Sequence, residues 1–377
     1  MSTTAFSVRF SRELDVDQLA MLMTGVQPTP ERDGAELLSA FGDAIQADIQ
    51  CSSCGKFGAR VVRSAKSRAS RAVLRQSHFR FVDTNGGDAH HPFCEFYGDD
   101  ENRATQVSHL DFGSERSAET RAVRLLVCKG ITQGLFDQRR IRDMRQWFFD
   151  FKSANRFTLL TPPEAISWTR ALQRHPSSQR WKFHPSQAEM PAFNWKAASK
   201  YQFTEANLHL FDLIKGMPID DGSWRQAGEL LRKHYQHEVF DPTLLQPYYE
   251  AAVSLSLFVA KNSGIHFGKV RPEYYRVKGP PVALLALCAL VLFVSNWDMN
   301  AATAAFAKLL SAPTPRDLTL GNVIGLNPFH EYAAWRLVII SAEVATKSPN
   351  GLDYDRQLSS TEAALRGEHL RWKEQKS

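Results

Sequence analysis

Three of the chain's five cysteines and three of its twelve histidines fall within residues 51–94. The order is Cys51-Ser-Ser-Cys54-Gly, then a basic segment, then Ser77-His78-Phe79, then His90-His91-Pro-Phe-Cys94. Two donor pairs share one spacing, Cys51-x-x-Cys54 and His91-x-x-Cys94. Facing pairs of this kind are how two tight turns present four ligands to one tetrahedral zinc ion, since thiolate and imidazole are the donors zinc favours. The expected ligands are Cys51, Cys54, His91 and Cys94, with His78 and His90 competing for the histidine place. Four protein donors leave no open position, so the expected zinc is structural rather than catalytic.

The segment between the pairs reads as a β-hairpin. Residues 57–63 and 72–82 have strand character, residues 64–70 are small and basic like a tip, and Thr84-Asn-Gly-Gly is a turn signal. A turn, a hairpin and a second turn make the plan of a zinc ribbon, in which the metal replaces a core that so small a module lacks. The charge pattern singles out the same segment. Residues 56–80 carry eight bases and no acid, residues 1–50 eight acids against three bases, and residues 83–115 eight acids against one base. Lys56, Arg60, Arg63, Lys66, Arg68, Arg71 and Arg75 are therefore the expected contacts to the phosphates of DNA or RNA. The competing reading is a solvated face, or a hairpin paired internally with the acids that follow it.

Cys51-x-x-Cys54, then Ser77-His78-Phe79-Arg80, then His91-x-x-Cys94-Glu95 resembles the N-terminal zinc-finger-like region of CoiA-type competence proteins. The resemblance covers about residues 48–97. It departs from the family where the second histidine of its His-Phe-x-His element falls on Phe81, which favours His91 over His78 as a ligand. The family's downstream nuclease region has no counterpart here, so nuclease activity is not carried over. The resemblance implies association with DNA and with mobile-element, competence or phage-defence biology, and a bacterial or phage-linked chain.

The rest of the 377 residues reads as helix, with no internal repeat. The expected fold is α-rich (α+β): a small N-terminal β-hairpin zinc ribbon followed by a multi-helical body. The expected divisions are an N-terminal segment over 1–47, irregular apart from one short helix; the zinc module over 48–112; a helical region over 113–175; and a C-terminal helical domain over 200–377. Residues 175–200, rich in proline and aromatics, read as a linker or packed loop. Helices are expected near 115–132, 137–151, 162–174, 204–215, 223–237, 243–260, 281–296, 299–311, 315–322, 328–346 and 360–375. Thr161-Pro-Pro-Glu carries a start signal of cap, proline and glutamate. The helix over 137–151 has Ile141, Met144, Trp147, Phe148 and Phe151 on one side, leaving Arg139, Arg140, Arg142 and Arg145 available to the other.

Residues 279–297 contain no charge. Pro280 and Pro281 consume their start, and the 13 aliphatic residues left match a buried helix rather than a membrane span. Cys128 and Cys288 lie in apolar surroundings and read as core residues. Few cysteines and no apolar leader at the start point to a reducing, cytoplasmic setting.

Other function classes are weaker in the sequence. A His-Asn-His nuclease built on His90-His91, Asn102 and His109 leaves Cys94 unexplained. A carboxylate nuclease on Asp137 or Asp143 with Asp150 and Lys152 would sit on a helix. No phosphate-binding glycine loop and no nucleophile–base arrangement is present. A scaffold role, with a protein partner on the helical body, is the remaining class. Basic aromatic stretches at 139–145, 180–184 and 266–278 are candidates to extend a nucleic-acid surface.

Overall fold

The chain reaches the first cysteine through a small sheet. Strand β1 (Thr4–Ser7) pairs antiparallel with β2 (Arg12–Asp15), and β3 (Ile49–Gln50) pairs with the other edge of β1, so that Cys51 follows directly on a buried strand. The structure is a computed structural model and describes residues 4–29, 32–66, 73–75, 77–91, 94, 96–97, 118–176, 181–217, 221–268, 270–316, 328–329, 331–348 and 350–376. It confirms an α-rich fold with a few short strands near the N-terminus. The N-terminal residues are not irregular. Strands of four residues are too short to show a period, but the capping box at Asp15 was readable. The Asp15 carboxylate accepts from the Gln18 backbone N–H at 2.7 Å, and the Gln18 side chain accepts from the Asp15 N–H at 3.1 Å. That box starts α1 (Val16–Thr24), which packs on α2 (Gly34–Leu37) before α3 (Gly42–Asp48) leads into β3.

After the cysteines, β4 (Ala59–Val62) pairs with β7 (His78–Phe81) and β5 (Ala65–Lys66) with β6 (Val73–Arg75), both antiparallel. The hairpin is thus two short pairs in succession. At their junction the Asp33 carboxylate accepts from the hydroxyls of Ser64 at 2.9 Å and Ser77 at 3.4 Å. Ala5, Leu14, Leu19, Ile45, Ile49, Phe79 and Phe81 form one apolar cluster that also contains Cys51 and Cys94. The metal-ligand candidates are therefore built into a core larger than a free-standing ribbon would have.

The chain divides into two compact units, residues 1–156 with 244–330, and residues 157–243 with 331–377. This division cuts across the blocks read from the sequence. The first unit adds to the N-terminal part the helices α4 (Ala118–Thr132), α5 (Gln138–Ala154), α10 (Gln246–Asn262), α11 (Tyr275–Lys278), α12 (Val282–Val294) and α13 (Met299–Ser311). In α12, residues 283 to 292 are all buried, against α10, α4, α13 and α5. That is the buried helix expected over 279–297. Among the described residues no single helix is long and apolar enough to cross a membrane. Cys288 lies inside α12, where burial pushes its thiol up to about 12.

The second unit holds α6 (Glu164–Arg174), α7 (Trp195–Ala206), α8 (Leu208–Ile214), α9 (Asp221–His234), α14 (Tyr332–Lys347) and α15 (Tyr354–Lys376) around Trp168, Phe203, Leu210, Trp224, Leu231, Leu337 and Val338. Two sequence expectations change here. Residues 185–200 are not a linker: a 3-10 turn, Pro185–Glu189, leads to α7, whose first turn is capped by Asn194 accepting from Ala197 N–H at 3.0 Å. Thr161 does not cap α6, which starts after Pro163 with no side-chain cap. The helix expected at 315–322 and the Ser114 cap lie outside the described residues.

A buried histidine ties three of these helices together. His175 Nε2 meets the Lys200 carbonyl at 3.1 Å, and its Nδ1 meets the Tyr354 hydroxyl at 2.6 Å. The carbonyl can only accept, so Nε2 carries the proton and Nδ1 accepts from the phenol. Burial lowers the pKa of His175 and holds it in this neutral form.

Candidate metal centre and the basic hairpin

The first knuckle is a tight turn fixed by two backbone hydrogen bonds, Gly55 N–H to Cys51 O at 3.1 Å and Cys51 N–H to Lys56 O at 2.9 Å. Gly55 has φ +69°, a left-handed conformation that costs glycine little. A side chain there would also press on Gln146 of α5, its Cβ 3.1 Å from Oε1. The second knuckle is held by Cys94 N–H to His91 O at 2.8 Å, and Asp88 accepts from His90 N–H at 2.8 Å. Between them, β4 and β7 bring the knuckles together: Ala59, at the start of β4, faces Phe81, at the end of β7.

Cys51, Cys54, His90 and Cys94 converge, with one donor atom from each within 4.8 Å of every other. Cys51 Sγ and Cys94 Sγ are 3.7 Å apart; His90 Nδ1 is 3.5 Å from Cys94 Sγ and 3.7 Å from Cys54 Sγ. Zinc bonds of about 2.3 Å to sulfur and 2.0–2.1 Å to nitrogen, set tetrahedrally, give edges of about 3.7–3.8 Å between sulfurs and about 3.5–3.6 Å between sulfur and nitrogen. Two of the three observed edges fall within these ranges and the third, Cys54 Sγ to His90 Nδ1, exceeds its range by about 0.1 Å. Cys51 and Cys94 are buried, His90 is buried and Cys54 half-buried, so the four donors close the position from all sides. The group fits a metal ion.

No protein-family model, no curated protein and no solved structure matches this chain.

The electrostatics lead to the same fit. Burial, then the neighbouring thiols, push Cys51 and Cys94 well above the ordinary thiol range. Cys54 is pulled far below it because Cys51 and Cys94 both donate to its sulfur. Crowded thiols share out the charge so that one ionises at the expense of the others. A divalent cation removes that conflict by stabilising all three thiolates. Ser53 N–H already points at Cys51 Sγ, 3.4 Å away, as an outer hydrogen bond to a ligand sulfur does.

The histidine differs from the one favoured by the sequence. His90, not His91, joins the cysteines. His91 turns away and meets the ring of Phe149 on α5 edge-on, with centroids 5.1 Å apart. His78 is buried in β7 opposite Val62 and is not in the group. Equal spacing of the two pairs misled because the turn does run from His91 to Cys94, held by Cys94 N–H to His91 O, but the ring that joins the sulfurs belongs to the preceding residue. His90 is wedged between Phe81 and Phe96, at 4.9 and 5.8 Å between centroids, which a surface histidine would not be.

Of the expected nucleic-acid contacts, Lys56, Arg60 and Arg63 are exposed, and none of the three makes an ion pair among the described residues. In register, Arg60 lies directly opposite Arg80, also exposed. Arg68 and Arg71 lie outside the described residues, as do the side chains of Lys66 and Arg75, whose backbones run in β5 and β6.

The arginines of α5 are not a free basic face. Arg145 is buried against Glu13, Arg142 donates to Gln50 and covers the ring of Phe6 at 4.3 Å, and Arg139 donates to Ser11 at 2.9 Å. Arg140 lies over Phe293 at 5.3 Å. They fasten the helix to its own unit. At 180–184, Arg180 lies outside the described residues and Phe183 is buried in a cluster with Ala198 and Leu365. At 266–278, Phe267 and Tyr275 are buried. Of the His-Asn-His candidates, Asn102 and His109 lie outside the described residues, and His90 belongs to the cysteine group. Of the carboxylate candidates, Asp137 caps α5, accepting from Arg140 N–H at 2.7 Å, Asp143 lies 3.9 Å from the Arg140 guanidinium, and Asp150 accepts from Gln146 at 2.8 Å on the same helix.

Proposed function

We propose that this protein binds one zinc ion through Cys51, Cys54, His90 and Cys94, that the ion is structural, and that the adjoining basic hairpin contacts nucleic acid. The observation that carries the metal reading is the set of sulfur–sulfur and sulfur–nitrogen edges that fit one tetrahedral ion. Three thiolates and one imidazole are soft donors that select zinc over the oxygen-seeking cations. With four protein ligands the ion activates no water; its binding free energy stabilises the fold of residues around 48–97.

The nucleic-acid reading is supported by the run of bases without acids and by the exposure of Lys56, Arg60 and Arg63. Cations held on a short hairpin bind phosphates through counterion release, with an affinity that falls steeply with salt. The resemblance of residues 48–97 to the N-terminal region of CoiA-type proteins supports the same partner and a setting in competence, mobile-element or phage-defence biology.

The experiment is zinc content of the purified chain together with binding of labelled DNA and RNA at two salt concentrations. One zinc per chain with salt-weakened binding is the expected result. One zinc with no binding at low salt would leave a structural zinc protein whose helical body serves a protein partner. No zinc, with oxidation and chelators excluded, would remove the metal reading.

A further inference from the structure

Phe57 occupies an unusual position. Its predecessor's carbonyl accepts from Cys51 N–H at 2.9 Å, and its successor Gly58 donates to Gln46 O at 3.2 Å, so the backbone on both sides is pinned. Gly55 and Gly58 bracket it with φ of +69° and +94°. Despite this anchoring, the Phe57 ring is 45% exposed and makes no ring contact among the described residues. A phenylalanine left nearly half exposed forgoes part of the burial that would tie it to the fold. It does form a pre-organised flat surface, whose ordering cost is met before any ligand arrives.

Its neighbours are cationic. Lys56 precedes it, Arg60 follows it into β4 and Arg63 lies just beyond that strand, all exposed. Arg60 lies within β4 and Arg63 one residue past its end, three positions apart and so at most about 10 Å along the chain. Arg60 also faces Arg80 in register, which places a second exposed cation on the same side of the pair. Duplex binding needs only the cations. An exposed ring among them adds a partner with an accessible base face, because aromatic side chains stack on unpaired bases.

We propose that the Gly55–Gly58 turn and strand β4 form a binding site for single-stranded nucleic acid, in which Phe57 stacks on a base and Lys56, Arg60 and Arg63 hold the adjoining phosphates. This rests on the nucleic-acid reading above and narrows it to unpaired strands. Because the turn begins at Cys51 and Cys54, the bound metal also sets the position of the ring.

The test uses the full chain loaded with zinc and fluorescently labelled oligonucleotides: single-stranded DNA, single-stranded RNA and a duplex of the same sequence. The expected result is tighter binding of a single strand than of the duplex. Phe57→Ala and Phe57→Leu should each weaken single-strand binding by about 5- to 100-fold with duplex binding unchanged, while Phe57→Tyr restores it. Unchanged zinc content and circular dichroism confirm the fold of each variant, and the tyrosine variant keeps the test decisive if alanine disturbs the turn. Duplex binding as tight as single-strand binding, with Phe57→Ala silent and Arg60→Gln with Arg63→Gln weakening both, would overturn the stacking site and leave the phosphate contact standing. Binding of no oligonucleotide at low salt would overturn both.

Discussion

Arg145 of α5 and Glu13 of β2 form a buried ion pair, Nη1 to Oε2 2.7 Å, with their side chains 2% and 3% exposed. They are separated by 132 positions in the chain, so the pair fixes the N-terminal sheet to the helix that also backs the metal knuckle. Thr4 Oγ1 donates to the same carboxylate, and Gln138 accepts from the Glu13 N–H at 3.0 Å. Removing one partner leaves a charge in the interior. Glu13→Ala or Arg145→Ala should lower stability by about 3–5 kcal/mol, and Glu13→Ala with Arg145→Ala should cost less than the sum of the single changes. Denaturant midpoints of the four proteins measure this; additive losses would mean that the pair does not act as a unit.

The two adjacent histidines should separate cleanly. His90→Ala should abolish stoichiometric zinc and destabilise the N-terminal unit, as Cys51→Ser and Cys94→Ser should. His91→Ala should keep the metal while losing the edge-on contact with Phe149, a contact worth about 1 kcal/mol. Metal content by mass spectrometry under native conditions decides it: loss of zinc in the His91 variant would transfer the ligand role to that residue.

Thiol reactivity gives an independent reading of the same centre. The metal-loaded protein should show no fast-reacting cysteine, since three would be ligands and Cys128 and Cys288 are buried. Chelation should expose three thiols and no more, with Cys288, its thiol pushed up to about 12, reacting only on global unfolding. Five thiols reacting together after chelation would show that the whole first unit depends on the metal.

His234 makes the second unit sensitive to acid. Burial, then the neighbouring Lys233 and His237, push its pKa down to about 4, and its ring lies 5.4 Å from that of Trp335. The unfolded chain, with a histidine near 6.5, takes up a proton that the folded form refuses. Stability is therefore full above about 6.5, falls as pH drops from there to 4, and levels off below. The loss should reach about 1–2 kcal/mol, reduced from the full shift because the ring is only partly buried. His234→Gln should flatten this part of the stability profile; an unchanged slope would assign the acid sensitivity to other groups.

The donor residues of the metal centre were legible because zinc chemistry is written in side-chain type and spacing. The choice among histidines was not, since it depends on which of two adjacent rings the fold turns toward the sulfurs and which toward Phe149. Helices with long apolar periods, such as α5 and α12, were readable for the same reason that they are stable: one face or the whole surface is buried. What surrounds the polar face was not readable. The arginines of α5 look like a solvated stripe in sequence, and only the fold brings Glu13, Gln50 and Phe6 to them. Helix α7 was hidden by the prolines and aromatics before it, although Asn194 caps it as the general rules prescribe.

The first unit is assembled from two stretches, 1–156 and 244–330, with the start of the second unit between them. During synthesis the cysteine knuckles leave the ribosome long before α10 and α12 exist. The nascent chain can thus bring Cys51, Cys54, His90 and Cys94 together while the apolar sides of α4 and α5 are still uncovered. A truncation after residue 156 would freeze that stage, with the metal centre present and Trp147, Phe148 and Phe151 stripped of Tyr248 and Trp297. Such a fragment is a poor soluble reagent, and work on the hairpin is better done in the whole chain.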